Sequence, residues 1–423
     1  MEGSNNKSGE NGHQDSCGVL LVTANLGSLF EDLDNMMPIW LKAFYKVLQR
    51  LQPRFVAIHC QEVGGKNFET GMNLVNNFIE TLFGSEEMRC YRRSHVVMDK
   101  NYQATDDFTA LGNIYFIHDS IASPKYYDFK SKEFRECEGH VRYLDNLSQS
   151  TSHEKMKFPK NLFPESKFSR KGFLRTRWCM NGSIFDLINL HLFHDASNVI
   201  AMQSFPSTYS NKRKKALLAV LDRLENDQHD KVPYFVFGDF NFRLDTHDVV
   251  KALTTSASGE YIKEDNDVVK VIFTENGNSG KVVLTLEKKK FEASEISPNK
   301  AKWLLQFDKE AGSFSEHFLE HEKSFAPSYP YSEDMNQGEN YMQTRVPSWC
   351  DRVFYSKSAN ESLIMTNDNQ AEYEVIGADV CMGDHKPVYL HFSLANSKGN
   401  NISPLRNAML TILYMCTLGP RVI

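Results

Sequence analysis

The chain has 423 residues, of which 41% are hydrophobic, 12% aromatic and 24% charged. This composition excludes a chain that is disordered throughout, and the length allows one large domain with insertions or two domains. The net charge of −6 comes from 48 Lys+Arg and 54 Asp+Glu, so no general basic field indicates a nucleic-acid-binding protein. A strongly anionic ligand would need a local basic pocket.

The first residues of the chain are polar and rich in Gly, Asn and Ser, which predicts a disordered leader over 1–16 rather than a signal peptide. Eight cysteines are scattered without a CxxC pair, as is typical of reduced thiols in a cytosolic protein. No stretch approaches the ~20 apolar residues of a membrane-spanning helix. We therefore expect a cytoplasmic protein.

Short apolar runs along the chain predict strands that alternate with helices. The first is a buried strand at Gly18–Thr23, followed by a helix at Met37–Leu51 that Pro53 ends, and by a second strand at Phe55–His59. Further strands are predicted at Leu111–Ile117, Trp178–Leu192, Tyr234–Phe237, Arg352–Tyr355 and Pro387–Phe392, and a further helix at Lys215–Glu225. The pattern is typical of a mixed α/β domain.

Residues 255–325 are polar and charged, and we expect them to form a helical insertion. The run Lys288–Lys290 within them is most simply interpreted as a solvated surface.

Polar residues stand at the ends of several predicted strands. Taken singly, each has a structural explanation, because Asn and Gly-Asp are common in turns and a glutamate or histidine beside a strand is often an exposed or satisfied side chain. Six such elements in one chain are harder to explain as turns. They are Asn25, Glu62, His191, Asp239 with Asn241, Asp351, and Asp384 with His385.

These residue types suit two kinds of chemistry. Carboxylates and amide oxygens are ligands that Mg²⁺ prefers. An aspartate before one strand, Asp351, and a histidine before another, His385, can form a carboxylate–imidazole pair that orients the ring for proton or phosphate work.

Three sequence blocks make the pattern specific: GDFNFRL at 238–244, RVPSWCDRV at 345–353 and GDHKPV at 383–388. They resemble the signature blocks of the inositol polyphosphate 5-phosphatase family, within the wider fold of DNase I and the apurinic endonucleases. CQEVGGKNFE at 60–69, SRKGFLRTRWC at 169–179, LHLFHDASN at 190–198 and SYPYSED at 328–334 resemble the type I inositol 1,4,5-trisphosphate 5-phosphatases. The likeness spans roughly residues 18–395 and implies an α/β, DNase I-like β-sandwich flanked by helices.

The resemblance also implies roles for the residues. Asn25 and Glu62 would hold Mg²⁺, with Asp384 beside it. Asp239 would position or deprotonate the attacking water, and Asn241 and His191 would contact the scissile phosphate.

Asp351 would hold His385. Five basic residues are candidates for gripping the other phosphates because cationic side chains, and the arginine fork above all, suit phosphate. They are Lys66, Lys171, Arg175, Arg177 and Arg345.

The implied activity is Mg²⁺-dependent hydrolysis of the 5-phosphate of soluble inositol 1,4,5-trisphosphate and inositol 1,3,4,5-tetrakisphosphate, which would end a calcium-mobilising signal. Two alternatives come from other functional classes. A nuclease on the same scaffold is disfavoured by the WCDR and FAPSYPY blocks and by the lack of a basic stripe. A binding module without activity is disfavoured because Glu62, Asp239, Asn241 and His385 are all present.

The resemblance sets the expected domain limits: the leader at 1–16, the catalytic domain at 17–396 with its insertion at 255–325, and a tail at 397–423. Type I members typically end in a CaaX box, whereas here the last cysteine, Cys416, lies seven residues before the end. We expect no prenylation and a monomeric cytosolic enzyme. Peripheral association with the plasma membrane through the apolar stretch Ala408–Leu418 stays open, and a tail that packs or frays is the simpler interpretation.

Overall fold

The computed structural model describes residues 17–395, apart from 145–146, 148–149, 167–168, 278–279, 294 and 365–370. The expected leader at 1–16 and the tail at 397–423 therefore lie outside the described residues. Among the helices that the structure describes, none combines the length and the apolar character needed to cross a membrane.

Strands make up most of the regular structure. In chain order, those of the described residues are β1 Cys17–Asn25, β2 Phe55–Gln61, β3 Arg93–Met98, β4 Gly112–Ile117, β5 Lys125–Asp128, β6 Glu133–Glu136, β7 His140–Tyr143, β8 Glu154–Lys157, β9 Gly172–Met180, β10 Ser183–His191, β11 Tyr234–Asp239, β12 Ala257–Glu264, β13 Asp267–Glu275, β14 Val282–Glu287, β15 Lys290–Ala293, β16 Phe318–Glu320, β17 Asp351–Ser356, β18 Glu372–Val375 and β19 Val388–Leu394.

The α-helices of the described residues are, in chain order, α1 Gly27–Glu31, α2 Leu33–Leu51, α3 Phe68–Phe83, α4 Asn198–Ala201, α5 Thr208–Glu225, α6 Thr246–Leu253 and α7 Lys357–Ser362.

Two large sheets pack face to face. The first has the order β18-β19-β1-β2-β4-β3-β7, and the second has the order β16-β17-β11-β10-β9-β5-β6 with β8 added beside β9. Phe55 and Trp178, one from each sheet, lie 5.5 Å apart between ring centroids, and Phe235 stacks on Phe392 at 5.2 Å. Large aromatic side chains thus fill the interface between the sheets.

Alternation along each strand explains why helices cover the outer faces. In β1, Val19 and Leu21 belong to the core between the sheets, whereas Leu20 and Val22 point outward and pack with residues of α2 and α3. Ile188 of β10 likewise packs on the α5 side of the second sheet. Because successive side chains of a strand face opposite ways, both faces are apolar and both must be covered. The β-sandwich flanked by helices that the resemblance implies is confirmed.

Most of the predicted elements are present with shifted ends. The helix predicted from Met37 begins at Leu33, and the helix predicted from Lys215 begins at Thr208. The single run predicted at Trp178–Leu192 belongs to two strands, β9 and β10, which pair as a hairpin. Asn181 and Gly182, with φ values of 50° and 81°, form its turn, and an Asn-Gly turn of this kind is a signal for a hairpin.

The expectation that 255–325 forms a helical insertion is wrong. Its first part is a third sheet of four antiparallel strands, β12 to β15. Two 3₁₀ segments follow, at Pro298–Phe307 and Ala311–Phe314, and then the short strand β16. Val271, Phe273 and Leu284 of this sheet are buried and join the core. Ile272 lies between Val271 and Phe273, and Thr285 follows Leu284, so these runs have the apolar character that is typical of strands. Charged residues before and after the runs hide them in the sequence.

Candidate active site

Strand pairing brings the polar strand ends to one edge of the sandwich. The strands β1 and β2 are parallel, with Asn25 opposite Gln61, so Asn25 and Glu62 emerge together. In the second sheet β10 and β11 are parallel, with His191 opposite Asp239. The strand β17 begins beside them because Asp239 also pairs with Asp351.

Asp239 lies at the centre of this edge and is 1% exposed. Its Oδ2 accepts hydrogen bonds from Asn25 Nδ2 and Asn241 Nδ2, both at 3.1 Å, and lies 3.1 Å from His191 Nε2. Burial raises the pKa of Asp239, but the neighbouring His191, His385 and Lys171 outweigh it and hold the pKa below its usual range. Asp239 is therefore kept as a carboxylate.

A basic cluster borders Asp239 on the side of β9 and β10. The Nζ of Lys171, which is 7% exposed, contacts His191 Nε2 and lies 3.9 Å from Glu62 Oε1. Burial lowers the pKa of Lys171 to about 8. Burial raises the pKa of Glu62, but Lys171, His191 and Arg170 outweigh it and lower the pKa to about 2. Glu62 is thus also kept ionised.

The predicted pairing of Asp351 with His385 is present. His385 Nδ1 lies 2.8 Å from Asp351 Oδ2, which also accepts from Ser328 Oγ at 2.7 Å. Burial lowers the pKa of His385, but Asp351 and Asp239 outweigh it and raise the pKa to about 10. The ring of Tyr329 lies 4.5 Å from that of His385, so the imidazole is held on both sides.

The predicted metal ligands converge around Gly27. A Cβ at this glycine would lie 2.8 Å from Glu62 Oε2 and 3.2 Å from Asn25 Oδ1, so the missing side chain leaves space between an amide and a carboxylate oxygen. The residue after Gly27, Ser28, donates from its Oγ to Asp384 Oδ1 at 2.7 Å. These hard oxygen donors fit a divalent cation such as Mg²⁺.

A second grouping of possible ligands lies nearby. Asp239, Asp351 and His385 each offer one atom, and these atoms lie within 4.8 Å of one another. In this grouping one imidazole nitrogen, His385 Nδ1, is engaged by Asp351. A set of oxygens alone suits Mg²⁺ better than a set with imidazole, so we favour the oxygens of Asn25 and Glu62 as the metal site.

Two of the five basic residues predicted to bind substrate do not reach the site. Arg175 and Arg177 lie along β9, several residues beyond Gly172, which pairs with His191. Arg175 Nε donates to Asp186 Oδ2 at 2.9 Å, and Arg177 Nε donates to Asp186 Oδ1 at 2.6 Å. Both guanidinium groups are buried against carboxylates, so their prediction as phosphate ligands is wrong.

The other three basic residues lie at or beside the site. Lys171 is in its centre. Lys66 is exposed, and its Nζ lies 3.3 Å from Glu333 Oε1. Arg345 is half-buried at the rim, where its Nη2 donates to the carbonyl oxygen of Asp195 at 3.3 Å.

Sequence reasoning missed several residues of the site, among them Arg170 and Tyr329, described above, and Arg243. Arg243 is 6% exposed, its Nη2 donates to Asn241 Oδ1 at 2.8 Å, and its guanidinium carbon lies 4.5 Å from the centre of the Tyr329 ring. Within the described residues its Nε and Nη1 have no hydrogen-bond partner. Buried donors without partners are costly, and an anionic group of a substrate would satisfy them.

The alternation of polar and apolar residues over 239–244 could have indicated that Arg243 belongs to the site. Asp239, Asn241 and Arg243 alternate with residues of the core, namely Phe240, Phe242 and Leu244, which are 0%, 1% and 2% exposed. The segment after Asp239 is not a strand, and Asn241 has a φ of 51°, so the signal is the alternation of polar and apolar residues in the sequence and not strand geometry. This alternation groups Arg243 with the two residues that were predicted for the site.

Comparison with known proteins agrees with this arrangement. The model of the endonuclease/exonuclease/phosphatase family 2 matches residues 290–391. The chain is 50% identical over 388 residues to inositol polyphosphate-5-phosphatase A of Rattus norvegicus, with 90% of this chain and 94% of the relative covered. It is 33% identical over 415 residues to a probable type I inositol 1,4,5-trisphosphate 5-phosphatase of Caenorhabditis elegans, with 89% of this chain and 99% of the relative covered.

Among solved structures, the chain is similar to the inositol polyphosphate 5-phosphatase domain of SPsynaptojanin, crystallised with inositol (1,4)-bisphosphate and a calcium ion. The identity is 13%, the TM-score is 0.47, and 95% of this chain and 93% of that chain are covered. At this TM-score the likeness carries no argument about the site, and the family assignment rests on the sequence relatives.

Proposed function

The chain belongs to the inositol polyphosphate 5-phosphatase family and is thus a hydrolase of phosphate monoesters. We propose that it removes the 5-phosphate of soluble inositol 1,4,5-trisphosphate and inositol 1,3,4,5-tetrakisphosphate in a Mg²⁺-dependent reaction. The two named substrates and the metal are our proposals. We also propose that it ends a calcium-mobilising signal. We propose further that it is either free in the cytoplasm or peripheral at the plasma membrane.

One observation carries the proposal: a buried carboxylate, Asp239, lies between two histidines. His191 Nε2 is 3.1 Å from its Oδ2, and His385, paired with Asp351, offers a ring nitrogen within 4.8 Å. Burial and the charge of Lys171 lower the pKa of His191, so this ring is a neutral partner of Asp239, whereas Lys171 and His385 are cations. A carboxylate held ionised beside such cations can orient a water molecule and take its proton while they stabilise a phosphoryl group. The arrangement supports in-line attack by water without a covalent phosphoenzyme.

The resemblance implies that Asn241 contacts the scissile phosphate, but its hydrogen bonds indicate a positioning role instead. Its Nδ2 donates to Asp239 Oδ2 at 3.1 Å and to the carbonyl oxygen of Leu192 at 3.0 Å, while its Oδ1 accepts from Arg243 at 2.8 Å. The amide is therefore occupied by protein partners. We propose that Asn241 positions Asp239 and Arg243, and that Arg243 and Lys171 are the groups that contact phosphoryl oxygens.

Asn25 and Glu62 would hold the metal ion, with Asp384 beside them. When bound, Mg²⁺ supplies Lewis-acid polarisation of a phosphate and neutralises charge on a leaving alkoxide. Asn25 links this part of the site to the acid–base part because its Nδ2 donates to Asp239 Oδ2 at 3.1 Å while its Oδ1 accepts from Gly27 N at 3.0 Å. The amide therefore ties Asp239 to the backbone of Gly27, beside which Glu62 Oε2 lies.

The experiment that tests the proposal is phosphate release from inositol 1,4,5-trisphosphate in the presence of Mg²⁺ and, separately, of excess EDTA. We expect release with the metal and none with the chelator, and identification of inositol 1,4-bisphosphate as the product. Double-stranded and abasic DNA serve as alternative substrates. Cleavage of DNA without release from the trisphosphate would support a nuclease instead, and no turnover of either would support a binding module.

A further inference from the structure

The hairpin of β14 and β15 has two lysines in its turn, Lys288 and Lys289, and a third, Lys290, at the start of β15. Lys290 Nζ lies 2.8 Å from Glu292 Oε2, so its charge is paired. Lys288 and Lys289 are exposed, and within the described residues no carboxylate forms an ion pair with either; the adjacent Glu287 is taken by Lys270 at 2.9 Å. Two cations without a counter-charge therefore stand at the tip of the hairpin.

The main chain of this turn is held in place by Asn198, which is 3% exposed. Asn198 Nδ2 donates to the carbonyl oxygens of Glu287 at 3.2 Å and Lys290 at 3.0 Å, on either side of the tip. The backbone N of Asn198 donates to the carbonyl oxygen of Lys288 at 3.1 Å. Moving the turn would leave these buried groups without partners, at a cost of ~1–3 kcal/mol for each.

Arg345 connects the turn to the rim of the site. Its Nη1 donates to the carbonyl oxygen of Lys288 at 2.6 Å and to Asn198 Oδ1 at 3.0 Å. Burial and the positive charge of Arg243 lower the pKa of Arg345, while Tyr329 and Asp195 act in the opposite direction. Arg243 in turn donates to Asn241 beside the central carboxylate.

From Arg243 through Arg345 to the hairpin tip, the rim therefore carries a row of cations. Asp195 acts on both Arg243 and Arg345 as a counter-charge, whereas the exposed lysines of the turn have no such carboxylate within the described residues. Neighbouring like charges repel one another, and an anion that binds between them relieves this repulsion. A substrate with several phosphates supplies such anions beyond the one that is hydrolysed. The clamp on the turn is thus difficult to explain as part of a merely solvated surface.

We propose that Lys288 and Lys289 bind a phosphate group of the inositol polyphosphate other than the one that is hydrolysed. This inference rests on the proposed function, since it assigns a further part of the substrate to the same site. The third sheet, predicted as a helical insertion, would then present a cationic turn that grips the far side of the substrate. Asn198 is a positioning residue in this proposal, because it holds the turn and does not contact the ligand.

The test compares the double variant Lys288→Gln/Lys289→Gln with the matched variant Lys42→Gln/Lys46→Gln, which removes the same charge from the exposed face of α2. KM and kcat are measured for inositol 1,4,5-trisphosphate at constant ionic strength, with inhibition constants for inositol 1,4-bisphosphate and for inorganic phosphate. The bisphosphate lacks the scissile phosphate and keeps the others, whereas inorganic phosphate occupies only one phosphate position.

We expect the hairpin variant to raise KM and the inhibition constant of the bisphosphate about tenfold, as for the loss of a charge-assisted hydrogen bond. Its kcat and the inhibition constant of inorganic phosphate should stay within about twofold of the wild type, because the reacting groups are unchanged. The α2 variant should match the wild type in all four measurements.

A hairpin variant that matches the α2 variant for both the trisphosphate and the bisphosphate would overturn the inference and leave the proposed function standing. Reduced binding to phosphatidylserine vesicles with unchanged KM would overturn it in favour of a membrane-facing role for the turn. A wild-type enzyme that releases no phosphate from the trisphosphate would overturn the proposed function and this inference together.

Discussion

His385 Nδ1 lies 2.8 Å from Oδ2 of Asp351, and both side chains are almost fully buried. The other carboxylate oxygen, Oδ1, has no hydrogen-bond partner within the described residues. Besides their own contact, Asp351 accepts from Ser328 Oγ at 2.7 Å, and the ring of Tyr329 lies 4.5 Å from that of His385. Removing either member should disturb the other more than it disturbs the fold around it.

For this pair we predict non-additive losses. Asp351→Asn and His385→Ala should each lower kcat by ~10²–10⁴-fold, the usual range for acid–base groups. The double variant should lose little more than His385→Ala alone, because Asp351 acts through the ring. The measurement is a double-mutant cycle on kcat with inositol 1,4,5-trisphosphate, and fully additive losses would show that the two residues act independently.

Glu62→Gln should remove the charged ligand of the metal site while keeping the fold, since its side chain is 23% exposed. We expect activity to fall by at least ~10²-fold, as when electrostatic stabilisation of a transition state is lost. Activity is measured over a titration of Mg²⁺, together with thermal unfolding. Glu69→Gln, an exposed glutamate in α3, is the control. Near-normal turnover of Glu62→Gln at saturating Mg²⁺ would rule out its role as a ligand.

Arg175→Ala should destabilise the protein without altering KM in the fraction that stays folded. The guanidinium is buried between Asp186 and Asp227, with Nη2 at 2.6 Å from Asp227 Oδ2. Its removal leaves buried carboxylates uncompensated, at a cost of about 3–5 kcal/mol in the free energy of unfolding. The check is urea unfolding together with KM. The surface pair of Arg89 and Glu86 provides the control Arg89→Ala, for which we expect about 0–1 kcal/mol.

Acid should destabilise the fold through buried neutral histidines. Burial and the neighbouring His153 lower the pKa of His95 to about 3, whereas in the unfolded chain it is about 6.5. Between these values the unfolded state binds the extra proton, so stability falls as the pH drops from about 6.5 towards 3. At pH 5 this one group costs ~2 kcal/mol, from 1.36 kcal/mol per pH unit.

The measurement is the free energy of unfolding by urea at pH 7 and pH 5. His95→Asn should lose ~2 kcal/mol less than the wild type between the two pH values because its side chain takes up no proton. His247→Asn, an exposed histidine in α6, should follow the wild type. Equal losses for His95→Asn and the wild type would contradict the assignment of a buried neutral ring.

The enzyme should prefer soluble inositol phosphates to lipids. In the resembling lipid-directed enzymes a lysine follows the tyrosine at the position of Tyr329, whereas here Pro330 follows and supplies no charge. We expect kcat/KM for inositol 1,4,5-trisphosphate to exceed that for phosphatidylinositol 4,5-bisphosphate in vesicles by at least about tenfold, as for one charge-assisted contact. A short-chain, dispersed form of the lipid controls for access to the vesicle surface. Equal or greater efficiency on the vesicles would refute the preference.

The sequence by itself determined a mixed α/β domain and the group of polar strand ends, and the resemblance of its signature blocks to a known family implied the two-sheet core. Short apolar runs identify strands where charged residues do not interrupt or border them. The signature blocks place Asp239, Asp351 and His385 at strand ends. These signals are local, since each depends on residues within a few positions of one another. They failed in β12 to β15 because charged residues before and after the runs hide them there.

The tertiary structure decided what each basic side chain does. Arg175 and Arg243 both lie in blocks that resemble the family, yet Arg175 is buried against Asp186, whereas Arg243, within the described residues, keeps unpartnered donors beside Asn241. The difference comes from strand register and from carboxylates supplied by other elements. The lysine turn at Lys288 likewise owes its position to Asn198 and Arg345, which are distant in sequence. The charge of a residue can be read from the sequence, whereas the tertiary fold decides whether a counter-charge lies close enough to neutralise it.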